Sequence, residues 1–177
     1  MAAPSDILAR NVASAELACE WLVRLGVTHL FASPGSRNST LLLAAHRNQK
    51  LKTLVHFDER GMAFAALGAA KAGGRPVAIL VTSGTAVANL FPALLEAEAA
   101  GLPLIFISAD RPPEAHGIGA NQTVDQKNIF GAHVKNFFLL KPSDDGEAKN
   151  TFVQITHTFE EAVRVSLTEP RGPIHIN

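Results

Sequence analysis

Pro76-Val-Ala-Ile-Leu-Val81-Thr82-Ser83-Gly84-Thr85-Ala-Val-Ala-Asn89-Leu-Phe-Pro92-Ala-Leu-Leu95 contains no charged residue, and its reading decides the fold. On length alone it could span a bilayer. Its interior argues otherwise, because Thr82, Ser83, Gly84, Thr85 and Asn89 would sit in hydrocarbon without water. The stretch reads instead as a strand over 76–81, a tight polar turn, and a helix over 85–100. Pro92 lacks an amide hydrogen and must kink that helix or delay its start.

Working outward, strand and helix patterns alternate. Asn11 to Leu25 carries Val12, Leu17, Ala18, Trp21, Leu22 and Leu25 at helical spacing, with Gly26 placed to end it. His29-Leu-Phe-Ala32 is a short strand stopped by Ser33-Pro34-Gly35. A helix over 39–48, a strand over 51–57 and an Ala- and Gly-rich helix over 59–72 precede the opening stretch. Leu104 to Ser108 is a continuous apolar strand, and 134–140, 151–167 and 173–176 read as strand, helix and strand. Runs such as Val77–Val81 and Leu104–Ile107 are apolar on both faces, as in a parallel sheet covered on each side. The expectation is a single three-layer α/β/α domain over residues 1–177, with a mainly parallel sheet of about six strands. Ligands of such sheets sit at the carboxyl ends of strands. Residues 33–37, 58–60, 82–85 and 109–113, all polar or rich in Gly and Pro, should therefore share one edge. Residues 110–126 have no periodicity, and so long a loop in a compact domain is commonly functional.

Composition narrows the function. Sixteen Lys+Arg balance sixteen Asp+Glu, which argues against a nucleic-acid or anionic-membrane partner. A 47% apolar content supports a core. The single cysteine, Cys19, excludes internal disulfides and a thiolate zinc cluster, and points to a reducing compartment, the cytoplasm. The N-terminus shows no secretory pattern. Known motifs fail in turn. Gly117-Ile-Gly119 is followed by Gln122 where a dinucleotide fingerprint needs glycine, and Gly68 and Gly73 are followed by Gly74-Arg75 where a P-loop needs Lys and Ser or Thr. No Gly-x-Ser-x-Gly elbow is present, and the seven histidines show no metal-ligand spacing, so no metal site is assigned to this chain.

Ser33-Pro-Gly-Ser-Arg37, His56-Phe-Asp-Glu-Arg-Gly61, Val81-Thr-Ser-Gly-Thr-Ala-Val-Ala-Asn89, Ala109-Asp-Arg-Pro-Pro-Glu114 and Gly119-Ala-Asn-Gln122 remain, in that order. Together they resemble the N-terminal, flavodoxin-like pyrimidine-binding domain of thiamine-diphosphate-dependent enzymes. Within these, the first and fourth segments resemble the MenD family, the 2-succinyl-5-enolpyruvyl-6-hydroxy-3-cyclohexene-1-carboxylate synthases of menaquinone and phylloquinone biosynthesis. Asn38-Ser39-Thr40-Leu41 departs from the family pattern, in which many relatives place a proline.

The resemblance implies roles. Glu59 matches the glutamate that meets N1′ of the aminopyrimidine, favouring the imino form that deprotonates the thiazolium carbon. Asp58 and Glu59 would also suit the first turn of any helix, where the dipole favours acids by ~0.3–1 kcal/mol. Pro34, Thr82, Ser83, Gly84 and Asn89 match positions beside the cofactor. Ser36, Arg37, Arg111, Asn121 and Gln122 match substrate-contacting positions, and guanidinium groups suit the carboxylates of 2-oxoglutarate and isochorismate. A surface ion pair for Arg37, a salt bridge for Arg111 and loop capping for Asn121 and Gln122 are the plainer alternatives. Gly61, Ala65, Gly68 and Ala72 form a small-residue stripe. It faces either a second subunit of a homodimer or homotetramer or this domain's own sheet.

The family's Mg²⁺ and diphosphate half-site uses a Gly-Asp-Gly motif that this chain lacks; Asp144-Asp145-Gly146 is not it. The expectation is an N-terminal fragment of a three-domain enzyme, inactive alone, with that half-site elsewhere in the protein. Two alternatives stay open: another thiamine-diphosphate enzyme, acetolactate-synthase-like or a 2-oxoacid decarboxylase, and a non-catalytic flavodoxin-like assembly module.

Overall fold

A computed structural model describes residues 4–140 and 148–177, so Asp144-Asp145-Gly146 lies outside the described residues. Helix Pro4–Arg24 (α1) leads into strand His29–Ala32 (β1), helix Ser39–Arg47 (α2) and strand Lys52–Val55 (β2). Helix Glu59–Gly73 (α3) and strand Val77–Val81 (β3) follow, then short helices Thr85–Ala88 (α4) and Phe91–Ala99 (α5). Strands Leu104–Ser108 (β4) and Phe137–Phe138 (β5), helix Ala148–Leu167 (α6) and strand Ile174–Ile176 (β6) complete the chain. The strands form one six-stranded sheet in the order β2-β1-β3-β4-β6-β5. Every pairing in it is parallel. The expected fold class holds.

Alternation along the central strands sorts side chains to two cores. Leu30, Ala32, Ala78, Leu80, Ile105, Ile107, Ile174 and Ile176 pack with α1, α2 and α6. Phe31, Val77, Ile79, Val81, Leu104 and Phe106 pack with α3, α4 and α5. Every residue of β3 and β4 is buried, which is why both read as unbroken apolar runs.

Three elements differ from the reading above. α1 begins at Pro4 rather than Asn11, because Ile7-Leu-Ala-Arg10 are good helix formers and Asp6 meets the amino-terminal dipole. The helix expected over 85–100 is two helices, with Pro92 in the first turn of the second, where its missing amide leaves no bond unmade. The strand expected over 134–140 is regular only at Phe137–Phe138, on the sheet edge, although amides of Lys135 and Leu140 still bond Pro173 and Asn177.

The topology creates a crevice. α2 leaves the end of β1 toward one face, and α4 leaves the end of β3 toward the other. β1 and β3 are neighbours, so their following loops part at a switch point on the carboxyl edge.

Candidate active site

The loop after β1 is held from within by a side chain that the motif reading passed over. Asn38 is buried, its Oδ1 accepts from the Gly35 amide at 2.8 Å, and its Nδ2 donates to the Ser33 carbonyl at 2.9 Å. That staple fixes the path beyond Arg37 where this sequence departs from the family pattern. Ser33 Oγ donates to the His56 carbonyl at 2.9 Å, tying this loop to the one after β2. Gly35 lies against the neighbouring β3 turn: a Cβ there would fall 2.5 Å from Thr82 Cβ, so only glycine allows this approach. Pro34, Ser36 and Arg37 are exposed around it.

Glu59 opens α3. Asp58 is the helix cap, its Oδ1 accepting from the Gly61 amide at 2.6 Å, while the Asp58 amide donates to His56 Nδ1 at 3.0 Å. The cap thus consumes Asp58 and leaves Glu59 half-buried, with no hydrogen bond or ion pair to its carboxyl among the described residues. Asp58 does the capping, and Glu59 lies in the first turn, where its charge also suits the helix dipole.

The turn after β3 is clasped by the aperiodic loop. Ser83 Oγ donates to the Gln122 carbonyl at 2.9 Å, and Gln122 Nε2 donates back to the Ser83 carbonyl at 3.1 Å. Gln122 takes a φ of 58°, a left-handed conformation uncommon outside glycine. Gly84, at φ 84°, sits directly beneath: a Cβ there would meet Gln122 Cγ at 2.9 Å and its backbone at 3.2 Å. The Gly84 amide donates to Gln126 Oε1 at 2.8 Å. Gln126 is completely buried and donates to the Ala109 carbonyl at 3.1 Å and to Asn177 Oδ1 at 2.7 Å.

A buried network closes the edge at β4 and β6. Ser108 Oγ donates to Asn177 Oδ1 at 2.6 Å, so its single proton is used, and the 2.7 Å contact to His175 Nε2 requires that nitrogen to be the donor. Burial pushes the His175 pKa down to about 3, which favours the neutral ring with its proton on Nε2. Asn177 Nδ2 donates to Asp110 Oδ2 at 2.8 Å, and Asp110 Oδ1 accepts from the Arg111 amide at 2.7 Å. Arg111 itself has a buried Nε with no hydrogen-bond partner among the described residues.

The expected residues do not all converge. Glu59, Thr82, Ser83, Gly84, Gln122 and Arg111 belong to the loops of the carboxyl edge, but none of them lines the cavity of about 390 Å³ that opens beside it. Arg37 and Asn38 do line that cavity, against Leu80, Ile107, Phe159 and Ile176 on the α1, α2 and α6 face. Asn89 lies at the end of α4, exposed, with Nδ2 donating to the Thr85 carbonyl at 3.0 Å. Asn121 is exposed and its carbonyl accepts from Thr123 Oγ1 at 3.2 Å. Gly61, Ala65, Gly68 and Ala72 all face outward, since α3 buries Met62, Ala63, Ala66 and Ala70 instead. The stripe does not pack on this domain's own sheet. Exposed Phe57, Phe64 and Leu95 accompany it on α3, the adjoining helix α5 and the edge beside Glu59.

Motif reading missed Asn38, Gln126, Ser108, His175 and Asn177. The available signal was polar residues ending apolar strands, at Ser108 and Asn177, which a fully buried strand end must pair.

The loops of this edge carry a carboxyl and a buried guanidinium nitrogen with no hydrogen-bond partner among the described residues, and two glycine turns at which chain segments approach closely. A family model described as thiamine pyrophosphate enzyme, N-terminal TPP binding domain, matches residues 13–129. The chain belongs to this family of thiamine enzymes. Among thiamine enzymes it is similar to 2-succinyl-5-enolpyruvyl-6-hydroxy-3-cyclohexene-1-carboxylate synthases. It is 47% identical over 167 residues to that of Shewanella oneidensis, 44% over 163 to that of Salinibacter ruber, and 44% over 161 to that of Rubrobacter xylanophilus. These alignments take in 94%, 92% and 91% of this chain but only 28%, 27% and 28% of the relatives' lengths. The chain thus spans just over a quarter of the relatives it matches. No helix among the described residues is long and apolar enough to cross a membrane, and the uncharged stretch over 76–95 is a strand, a turn and two short helices.

Proposed function

We propose that this chain is the pyrimidine-binding domain of a cytoplasmic synthase of three domains. The whole enzyme removes the carboxyl group of 2-oxoglutarate and adds the remaining four-carbon unit to isochorismate in a 1,4 sense, giving 2-succinyl-5-enolpyruvyl-6-hydroxy-3-cyclohexene-1-carboxylate. The observation that carries the reading is the Glu59 carboxyl, at the start of α3 on the carboxyl edge of the sheet, with no hydrogen bond or ion pair among the described residues. The separate Asp58 cap leaves the Glu59 carboxyl with no capping duty.

When bound, thiamine diphosphate supplies a nucleophilic carbon on its thiazolium ring. Glu59 holds a proton at ring nitrogen N1′ and thereby sets the protonation of the amino group across the ring. Thr82, Ser83, Gly84, Pro34 and Asn89 would hold the ring. Ser83 and Gln122 are mutually bonded, so the turn is preset before any ligand arrives. Arg111, whose Nε has no hydrogen-bond partner among the described residues, and Arg37 grip substrate carboxylates in bidentate fashion. Ser36, Asn121 and Gln122 complete the substrate side. The Mg²⁺ and diphosphate groups are held outside these 177 residues, and the outward face of α3 receives a second subunit, as a homodimer or homotetramer. This chain alone is inactive.

The two arginines favour an anionic acceptor over the small neutral ones of acetolactate-synthase-like enzymes or decarboxylases. The test is product formation by the full-length enzyme from 2-oxoglutarate with isochorismate, run beside pyruvate as donor. Turnover with the first pair alone supports the proposal; preference for pyruvate would replace it with the acetolactate-type reading.

A further inference from the structure

We propose that Gln126 is a positioning residue, coupling the turn that faces the cofactor to the loop that carries Arg111. An unbroken hydrogen-bond chain runs from the Gly84 amide through Gln126, Asn177 and the Asp110 carboxylate to the Arg111 amide. Gln126 also holds the Ala109 carbonyl at 3.1 Å, one residue before Asp110. Neither amide side chain can be reversed. Gln126 must offer oxygen to Gly84 and N–H to Ala109, and Asn177 must offer oxygen to Ser108 and Gln126 and N–H to a carboxylate. A network with one arrangement transmits a fixed separation between its ends.

The three replacements nearest in size and shape do not keep these bonds. Methionine fills the space but leaves the Gly84 amide and the Ala109 carbonyl unpaired, and asparagine is too short to reach both loops. Glutamate keeps the acceptor for Gly84 but turns an oxygen toward Ala109 and Asn177, which are both acceptors. Among the described residues two non-glycine positions have positive φ, Gln122 at 58° and Asn128 at 53°, and they bracket Gln126, so the loop accepts local strain on either side of it. This inference rests on the reading of Gly84 and Arg111 as ligand-facing groups.

The test is made in the full-length enzyme with Gln126→Met. Amide hydrogen exchange is followed over residues 82–89, 109–113 and, as reference, 15–22, and thiamine diphosphate with Mg²⁺ is titrated calorimetrically. Exchange over 82–89 and 109–113 rises together by roughly tenfold, the effect of leaving one buried donor unpaired, and the cofactor Kd rises by a similar factor. Exchange over 15–22 stays unchanged. A rise in one segment only, in neither, or in all three equally overturns the proposal. If Gln126→Met does not yield folded enzyme, Gln126→Glu decides: it should loosen 109–113 more than 82–89, and equal loosening or none contradicts the coupling. Failure of the wild-type enzyme to bind thiamine diphosphate would sink the cofactor reading, while the exchange pattern still judges the coupling.

Discussion

Replacing Gly84 with alanine probes the packing of the ligand edge most sharply. Gly84 holds φ 84° and ψ −142°, a region that essentially only glycine occupies, and forcing a side-chain-bearing residue there costs about 1–3 kcal/mol. The added methyl would also lie 2.9 Å from Gln122 Cγ and 3.2 Å from Gln122 backbone atoms, closer than carbon atoms pack. Gln122 Cγ can move, but its backbone is pinned through Ser83, so overpacking adds about 1–3 kcal/mol. The sum is about 2–6 kcal/mol, a large share of the ~5–15 kcal/mol that stabilises a domain. Gly119→Ala is the control, since Gly119 also has positive φ, at 70°, but no atom within 4 Å of an added methyl. Urea unfolding of both variants, followed by circular dichroism, should place Gly84→Ala below Gly119→Ala by at least about 1 kcal/mol. Equal midpoints would refute the argument, because the Gln122 clasp would then not press on the turn.

Three further outcomes follow from other parts of the molecule. Gly68 faces outward from α3 with no atom within 4 Å of an added methyl, so Gly68→Ala should stabilise the 177-residue chain by about 1 kcal/mol through helix propensity. In the full-length enzyme the same change should lower the melting temperature, where a second subunit approaches the stripe; a gain in both would remove the interface from α3. His175 falls from 6.5 to about 3 on burial, so between those values the unfolded chain binds a proton that the folded chain refuses. Stability therefore drops by about 1.4 kcal/mol per pH unit from this site as pH falls below 6.5, and His175→Gln should flatten that slope in urea titrations at pH 6.5 and pH 5. An unchanged slope would contradict the burial argument. Burial, with the Glu16 carboxylate nearby, pushes the Cys19 thiol up to about 12, so the folded chain should resist iodoacetamide at mildly alkaline pH and react promptly in denaturant. Rapid labelling of the folded chain would show α1 to be loosely seated.

The fold was legible because its strands are buried on both faces. β1 and β4 lie where continuous apolar runs bounded by polar turns place them, and the four polar loops do share one edge. Element ends were less legible. Propensity alone does not tell a proline that kinks a helix from one that starts a new one, as Pro92 does. The site was legible as short motifs and illegible as wiring. Ser33–Arg37 and Asp58–Glu59 stand out as polar segments after apolar strands and through their resemblance to family motifs, but Gln126 reaches Gly84 across 42 residues and Asn177 across 51. Such pairings depend on strand order, which no local pattern encodes. The orientation of the α3 stripe was undecidable for the same reason. Gly61, Ala65, Gly68 and Ala72 suit either face of a helix, and only the burial of Met62, Ala63, Ala66 and Ala70 shows which one turns inward.

Glu59→Gln in the full-length enzyme is the most direct measurement. It keeps the shape of the side chain and removes the group that holds a proton at the pyrimidine ring. Melting temperature should stay near that of the wild type, because the carboxyl has no hydrogen bond or ion pair among the described residues, while turnover falls by at least ~10²-fold. Turnover at the wild-type rate would show that the acid at the start of α3 serves the helix and not the chemistry.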